Sequence, residues 1–395
     1  MTSQSQTIPL PKSADVAGIG VACGGMLALA AGMGIGRFVY TPILPDMAAS
    51  LGLTQSAAGL IAAANFLGYL AGAVLAAAPN LPGGRRRWFL GGLAASAATT
   101  AAMALASGLV AFMALRFAGG IASAFVLVLG SALVLDRLAA FGRPGRASLH
   151  FAGVGVGIAA SSLLVDALHG AGADWRTLWL ASGALSGLAV LLAGRLVPEA
   201  QPAAAVASAT IQEERRPRGL ALLTLCHGLF GFGYVVTATF LVAVVHGGLQ
   251  ARALEAVVWL VVGLTAAPST AAWGMFSQRY GAFRAYGIAC ALLSIGVAAG
   301  GAWPTPVGAL LSAVLLGGTF MGITALGFAA ARELAPRHQR RSFALITAGF
   351  GLGQVLGPVV AGVLLDRTGA FAMPSLIATA ATATAAIIAM RLART

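Results

Sequence analysis

Residues 32–45 read GMGIGRFVYTPILP. An apolar run leads into the stretch from about residue 16, and Arg37 stands inside that run. A fixed charge in hydrocarbon is expensive, so an arginine there is a functional hypothesis by default. About half a chain later the stretch returns as LFGFGYVVTATFL, residues 229–241. Gly34 then matches Gly231, Gly36 matches Gly233 and Leu44 matches Leu241, but Tyr234 stands where the first copy has Arg37. The recurrence predicts a fold of two repeats. The unmatched arginine predicts that the repeats differ in function.

The totals agree with a chain that lives in lipid. Of 395 residues, 59% are hydrophobic and 9% charged, with a mean hydropathy of +0.90. Soluble domains carry roughly a quarter charged residues, so this composition predicts a polytopic membrane protein. A formal net charge of +13 would suggest nucleic acid in a soluble chain. Here most arginines fall in short loops between apolar runs, as the positive-inside rule expects, and no nucleic-acid partner is expected. The only lysine, Lys12, lies in a polar N-terminal tail, which excludes a Walker A loop and its phosphate-binding lysine. Cys23, Cys226 and Cys290 sit in apolar runs with no disulfide or metal spacing. Neither a cofactor nor a metal is expected. The first apolar run is too long for a signal-peptide core, and no cleavage is expected.

Twelve apolar segments are predicted, at about 16–44, 55–78, 88–107, 109–135, 147–168, 175–197, 219–246, 254–276, 285–302, 306–333, 342–365 and 370–392. The polar stretch 198–218 divides them into halves 1–197 and 219–395. Arginines follow every even-numbered segment: Arg85, Arg86 and Arg87; Arg137, Arg143 and Arg146; Arg195, Arg215, Arg216 and Arg218; Arg279 and Arg284; Arg332, Arg337, Arg340 and Arg341; Arg391 and Arg394. The opposite loops hold only Arg176, Arg252 and Arg367. Both termini and the 198–218 linker are therefore expected in the cytoplasm. Segments 5 and 11 repeat as well, Gly153 with Gly353, Gly157 with Gly357 and Asp166 with Asp366. Two parallel six-helix repeats with a site between them are a transporter architecture.

Four runs, GIGRFVYTPILP (34–45), GLFGFGYVVTATFL (228–241), WLVVGLTAAPSTAAWG (259–274) and GGTFMGITALG (317–327), make the resemblance specific. Over its whole length the chain resembles a major facilitator superfamily transporter, and within that superfamily the bacterial YbfB/YjiJ family. The resemblance implies an all-α fold of twelve transmembrane helices in two pseudo-symmetric six-helix bundles. It also implies secondary active transport by alternating access, in the bacterial cytoplasmic (inner) membrane. The superfamily's loop motif, tied to gating, appears after segment 8 as Gly274, Gln278, Arg279, Gly281 and Arg284, with Gln278 replacing its aspartate; after segment 2 it has decayed to PNLPGGRRR. The glycine-proline motif usual on helix 5 stands on segment 11 as GLGQVLGPVVAG (351–362), with Pro358, which leaves the direction of transport open.

Arg37 and Arg116 are the two arginines expected inside helices. At about 1.5 Å rise per residue, both are expected at similar depth in the outer third of the membrane. The resemblance places segments 1, 4, 7 and 10 along the central cavity, so both charges are expected on the substrate path. The other reading is that each snorkels outward or pairs with Asp46 or Asp166. Asp46, Asp136, Asp166, Glu255, Glu333 and Asp366 all stand near segment ends, so no carboxylate is expected at mid-membrane. These features predict a small anionic cargo held by Arg37 and Arg116, whose planar forks suit carboxylates. Tyr40, Asn65, Tyr234 and Gln354 are expected to orient it, ahead of Tyr69, Thr237, Thr239, Thr319 and Thr324. His227 is the expected proton-coupling group, since imidazole titrates near neutrality; a satisfied structural histidine is its alternative. His150, Trp88, Trp175 and Trp303 read as interfacial. The runs GVGVG (153–157) and GFGLG (349–353) lack the strand and distal acid of a dinucleotide loop and are taken as packing grooves. The alternatives are efflux of hydrophobic drugs, a membrane-embedded enzyme, for which no nucleophile–base pair speaks, and a non-transporting sensor or scaffold. A monomer in the lipid bilayer is expected, with a small-molecule solute and protons as partners.

Overall fold

A computed structural model describes residues 12–78, 81–199, 218–249, 252–336 and 339–394. Most of the linker 198–218, including Arg215 and Arg216, lies outside the described residues, as does Arg337. Helix α1 is built in pieces: Lys12–Leu29, a π-helical turn Ala30–Ile35, Gly36–Phe38 and Tyr40–Leu51. After it come α2 (Gln55–Ala76), α3 (Arg85–Ala102), α4 (Leu109–Ala140), α5 (Ala147–Gly170), α6 (Trp175–Leu196), α7 (Arg218–Leu249), α8 (Arg252–Tyr280), α9 (Ala282–Ala302), α10 (Pro306–Leu334), α11 (Gln339–Thr368) and α12 (Ala372–Leu392). Among the described residues, eleven of these helices are long and apolar enough to cross a membrane. The exception is α3, whose first turn is Arg85, Arg86 and Arg87.

The repeat read from residues 32–44 holds at the level of backbone. Helices α2 and α8 begin at Gln55 and Arg252, α3 and α9 at Arg85 and Ala282, α4 and α10 at Leu109 and Pro306, α6 and α12 at Trp175 and Ala372. Every pair is 197 residues apart. Even the caps repeat: Gly84 precedes α3 at φ 85°, ψ 157° and Gly281 precedes α9 at φ 86°, ψ 152°. Left-handed φ of this kind favours glycine. The equivalent residues Thr41 and Ala238 touch across the pseudo-two-fold axis, Thr41 Oγ1 donating to the Ala238 carbonyl at 2.7 Å.

Within the halves, α2 packs on α4 and α8 on α10, while α3 packs on α6 and α9 on α12. Between the halves, α2 lies on α11, α5 on α8 and α1 on α7. Small residues carry these crossings, as expected in lipid. A Cβ on Gly34 would come within 2.5 Å of Gly157 Cα, and one on Gly59 within 2.2 Å of the Pro358 carbonyl across the halves.

Three sequence expectations need correction. The first segment does not end near residue 44 but runs to Leu51, closed by Gly52 at φ 61°. The helix breaks at Val39, so Pro42 sits in the first turn of a new piece, where its missing N–H does no harm. His150 is not interfacial: it is buried beside Gly25, and its Nε2 hydrogen-bonds Ser131 Oγ at 3.0 Å. Trp175 is also buried, its indole N–H donating to Ser50 Oγ at 3.2 Å and its ring edge-on to Phe112.

Candidate functional site

Arg37 lies where the π-helical turn ends. A π-turn shifts the helix ladder by one residue, so the Gly36 N–H reaches back to the Ala31 carbonyl, and such turns concentrate at functional sites. The side chain is 4% exposed. Its guanidinium stands 4.4 Å from the ring centroids of both Phe66 and Tyr69 on α2, and 5.8 Å from that of Phe38. Aromatic faces attract a cation, by about 0.5–2 kcal/mol each. They do not satisfy its N–H groups: Nε and Nη2 of Arg37 are buried without a hydrogen-bond partner. No ion pair among the described residues involves Arg37.

Arg116 is equally buried but differently employed. Its Nη1 donates to the Gly36 carbonyl at 2.9 Å and its Nη2 to the Arg37 carbonyl at 2.8 Å. The planar fork thus clamps the broken stretch of α1 onto α4. Tyr40 and Trp179 rings flank the same guanidinium at 5.2 and 5.9 Å. Hydrogen bonds from a charged donor are worth about 1.5–3 kcal/mol each. The two arginines therefore meet at one stretch of α1, but only Arg37 of the two has two buried nitrogens without partners.

The other expected ligands surround this pair. Tyr40 Oη donates to the Ala58 carbonyl at 2.9 Å, fixing α1 on α2. Asn65 Nδ2 donates to the Arg116 carbonyl at 2.9 Å, while its Oδ1 is unpartnered. Gln354 of α11 donates through Nε2 to the Tyr234 hydroxyl, and its buried Oε1 is free of partners. Tyr234 stacks on Phe230, Phe320 and Phe350, and Phe320 meets Phe38 edge-on at 5.9 Å. The Arg37 and Tyr234 positions, equivalent in the repeat, thus face one interface from opposite halves. A narrow apolar slot lies there, lined by Phe38, Tyr234, Trp259 and Phe320 among others. Phe38, Phe66, Trp259 and Phe320 were not singled out from sequence. Aromatic residues are common in membrane cores, and only Arg37 shows which of them matter.

His227 is held at Nδ1 by the Tyr286 hydroxyl at 3.0 Å, inside a ring of Phe230, Tyr286, Phe328 and Phe350. Thr319 and Thr324 donate to carbonyls of their own helix, and Thr237 Oγ1 is buried without a partner. In the loop motif, Gln278, Arg279, Gly281 and Arg284 are exposed and Gly274 half-buried. Arg279 lies over Tyr280 at 5.5 Å, and Gly281 supplies the positive-φ cap of α9.

The charged residues at helix ends form links between the halves that sequence did not reveal. Asp46 pairs with neither intramembrane arginine; Arg252 of α8 donates to its Oδ1 at 2.6 Å, joining the halves. Asp366 of α11 accepts the Gln55 and Ser56 N–H groups of α2, both at 2.8 Å. Ser162 Oγ donates to the Ala256 carbonyl at 2.7 Å. Thr41, Ser162, Arg252 and Asp366 carry polar links between the halves, on this acidic face or at the axis. On the arginine-rich face the ion pairs stay within one half, as in Arg85–Asp136 and Arg143–Asp15. The two halves are thus linked at their acidic face.

The family model described as "Uncharacterised MFS-type transporter YbfB" matches residues 29–390. No curated protein sequence matches the chain. Among solved structures, a mutant form of the nucleoside transporter NupG superposes with a TM-score of 0.74 at 16% identity, covering 95% of this chain and 99% of that one. A bacterial homologue of the human lysosomal transporter Spinster, inward-facing and occupied, superposes with a TM-score of 0.69 at 15% identity, covering 96% of each chain. At such identities these likenesses concern the fold.

Proposed function

The chain belongs to the family of MFS-type transporters described by YbfB, and we propose that the cargo it moves is a small organic anion received by Arg37. Membership makes the protein a multi-pass membrane transporter of small solutes, working by alternating access and not by catalysis. One observation carries the finer reading: a buried guanidinium with Nε and Nη2 unpartnered and no carboxylate paired with it. A buried charge is normally paired, and a carboxylate offers two oxygens in the plane of the fork. Gln354 Oε1 is the buried acceptor on the facing half. Arg116 serves as the positioning residue, because its fork holds the backbone that carries Arg37.

In this reading the arginine-rich loops lie in the cytoplasm, with both termini. The linked acidic face is then the outer face, and the inner membrane is the location. The halves divide at the linker 198–218, and one chain supplies both walls of the site, which supports a monomer. His227 takes part through proton coupling, with Tyr286 as its partner.

Thermal unfolding of purified protein tests the proposal, since a ligand that binds only the folded state stabilises it. Small carboxylates should raise the melting temperature of the wild type and leave Arg37→Gln unmoved, while the corresponding amides move neither. The apolar slot favours a second reading, export of uncharged hydrophobic compounds. Under it, neutral ligands would protect both proteins alike.

A further inference from the structure

The acidic face holds a second cluster that the anion site does not use. His169, at the end of α5, has one nitrogen in two contacts. Its Nδ1 lies 3.1 Å from Asp46 Oδ2 and 3.2 Å from Arg252 Nη2. Arg252 Nη2 also reaches Asp46 Oδ1 at 2.6 Å. The three groups form a triangle, with Asp46 and His169 in the N-terminal half and Arg252 in the C-terminal half. They line a half-open pocket between the halves, with Asp166, Glu255 and Ser162.

A single imidazole nitrogen cannot serve both neighbours. To accept from Arg252 it must carry a lone pair. To donate to Asp46 it must carry a hydrogen, which then points at a cation 3.2 Å away. Neutral imidazole can take the first arrangement, leaving the triangle with no net charge. A protonated ring has only the second, and the triangle becomes net positive. The repulsion falls between α5 and α8, across the seam that Asp46–Arg252 closes. Protonating Asp46 acts in the same direction, by removing the acceptor of Arg252.

We propose that His169 is a proton-responsive latch for this transporter: its protonation releases Arg252 and opens the acidic face. The other charged groups around it are placed to tune this response and do not replace it. Asp166, on α5, is exposed in the same pocket. Glu255, on α8, is bonded to His246 of α7 at 2.9 Å, so a second histidine sits in the neighbouring pair. That pair joins α7 to α8 within one half and makes no link between the halves.

Spin labels at Leu51 and Ala253, exposed residues of α1 and α8, report the separation of the halves in lipid nanodiscs. Between pH 8 and pH 5, where imidazole as a class changes charge, the wild type should shift toward the long distance. The shift should be about tenfold in the open-to-closed ratio, the size of a unit-charge repulsion at this separation in a water-like dielectric. His169→Gln, which offers an acceptor to Arg252 and a donor to Asp46 at once, should stay closed at both pH values. His169→Lys, a permanent cation, should be open at both, and Glu255→Gln should keep the wild-type response. A wild type insensitive to pH, or a His169→Gln protein with the wild-type pH response, overturns the proposal. Because His169→Lys is expected to open and His169→Gln to close, a general loss of folding cannot reproduce the pattern.

Discussion

Asp366→Ala is expected to open the acidic face without unfolding the protein. Asp366 accepts the Gln55 and Ser56 N–H groups at 2.8 Å each, so a carboxylate from one half caps the first turn of a helix in the other. Thr54 caps the same helix from its own half, taking the Ala57 N–H at 3.1 Å, and α2 therefore keeps an N-cap when Asp366 is gone. What disappears is a cap available only while the halves are together. Losing a cap costs about 0.5–2 kcal/mol, and a carboxylate at a helix N-terminus adds about 0.3–1 kcal/mol before solvent screening. Asp366 is exposed, so the sum is set at about 1–2 kcal/mol. At about 1.4 kcal/mol per decade, that is roughly a five- to thirty-fold shift toward the open form. Spin labels at Leu51 and Ala253 in nanodiscs at pH 8 measure it. An unchanged distance distribution in Asp366→Ala, with the protein folded, would refute the reasoning.

Four further outcomes follow from the same geometry. Arg116→Lys keeps the charge but cannot bridge the Gly36 and Arg37 carbonyls, so at least one bond of about 1.5–3 kcal/mol is lost; thermal unfolding should show the drop, and ligand affinity should fall with it. Gly59→Ala puts a methyl 2.2 Å from the Pro358 carbonyl of the other half and should bias the protein open, by about 1–3 kcal/mol of overpacking. Gly68→Ala meets the Phe117 carbonyl of its own half at 2.0 Å and should instead lower the melting temperature with no conformational bias. His227→Gln should abolish uptake driven by a proton gradient in proteoliposomes while counterflow persists; gradient-driven uptake at the wild-type rate would remove His227 from coupling.

The fold was legible because its signal is repeated. Glycines recurring at matched positions and arginines at every second loop are enough to count spans and halves, and the 197-residue spacing of helix starts is the same repeat seen in three dimensions. Arg37 was legible for the opposite reason: a charge in hydrocarbon has no cheap structural excuse. The division of labour between the arginines was not. Spacing shows that Arg116 is inside α4, but only coordinates show that its fork ends on the Gly36 and Arg37 carbonyls, just beyond the π-turn. The latch was hidden because Asp46, His169, Arg252 and Asp366 look like ordinary helix-end charges in sequence. Their meaning comes from contacts between residues as far apart as Gln55 and Asp366. His150 and Trp175 misled because polar and aromatic residues near helix ends usually face the interface, whereas here tight crossings buried them.

The central claim is that the bare Arg37 guanidinium receives an organic anion. Calorimetric titration of detergent-purified protein with small carboxylates measures it most directly. Removing one member of a buried charge pair costs about 2–5 kcal/mol, so Arg37→Gln should bind the best carboxylate roughly thirty-fold to several thousand-fold more weakly. The amide of that carboxylate should bind wild type and variant equally weakly. Equal carboxylate affinity in the wild type and Arg37→Gln would contradict the account.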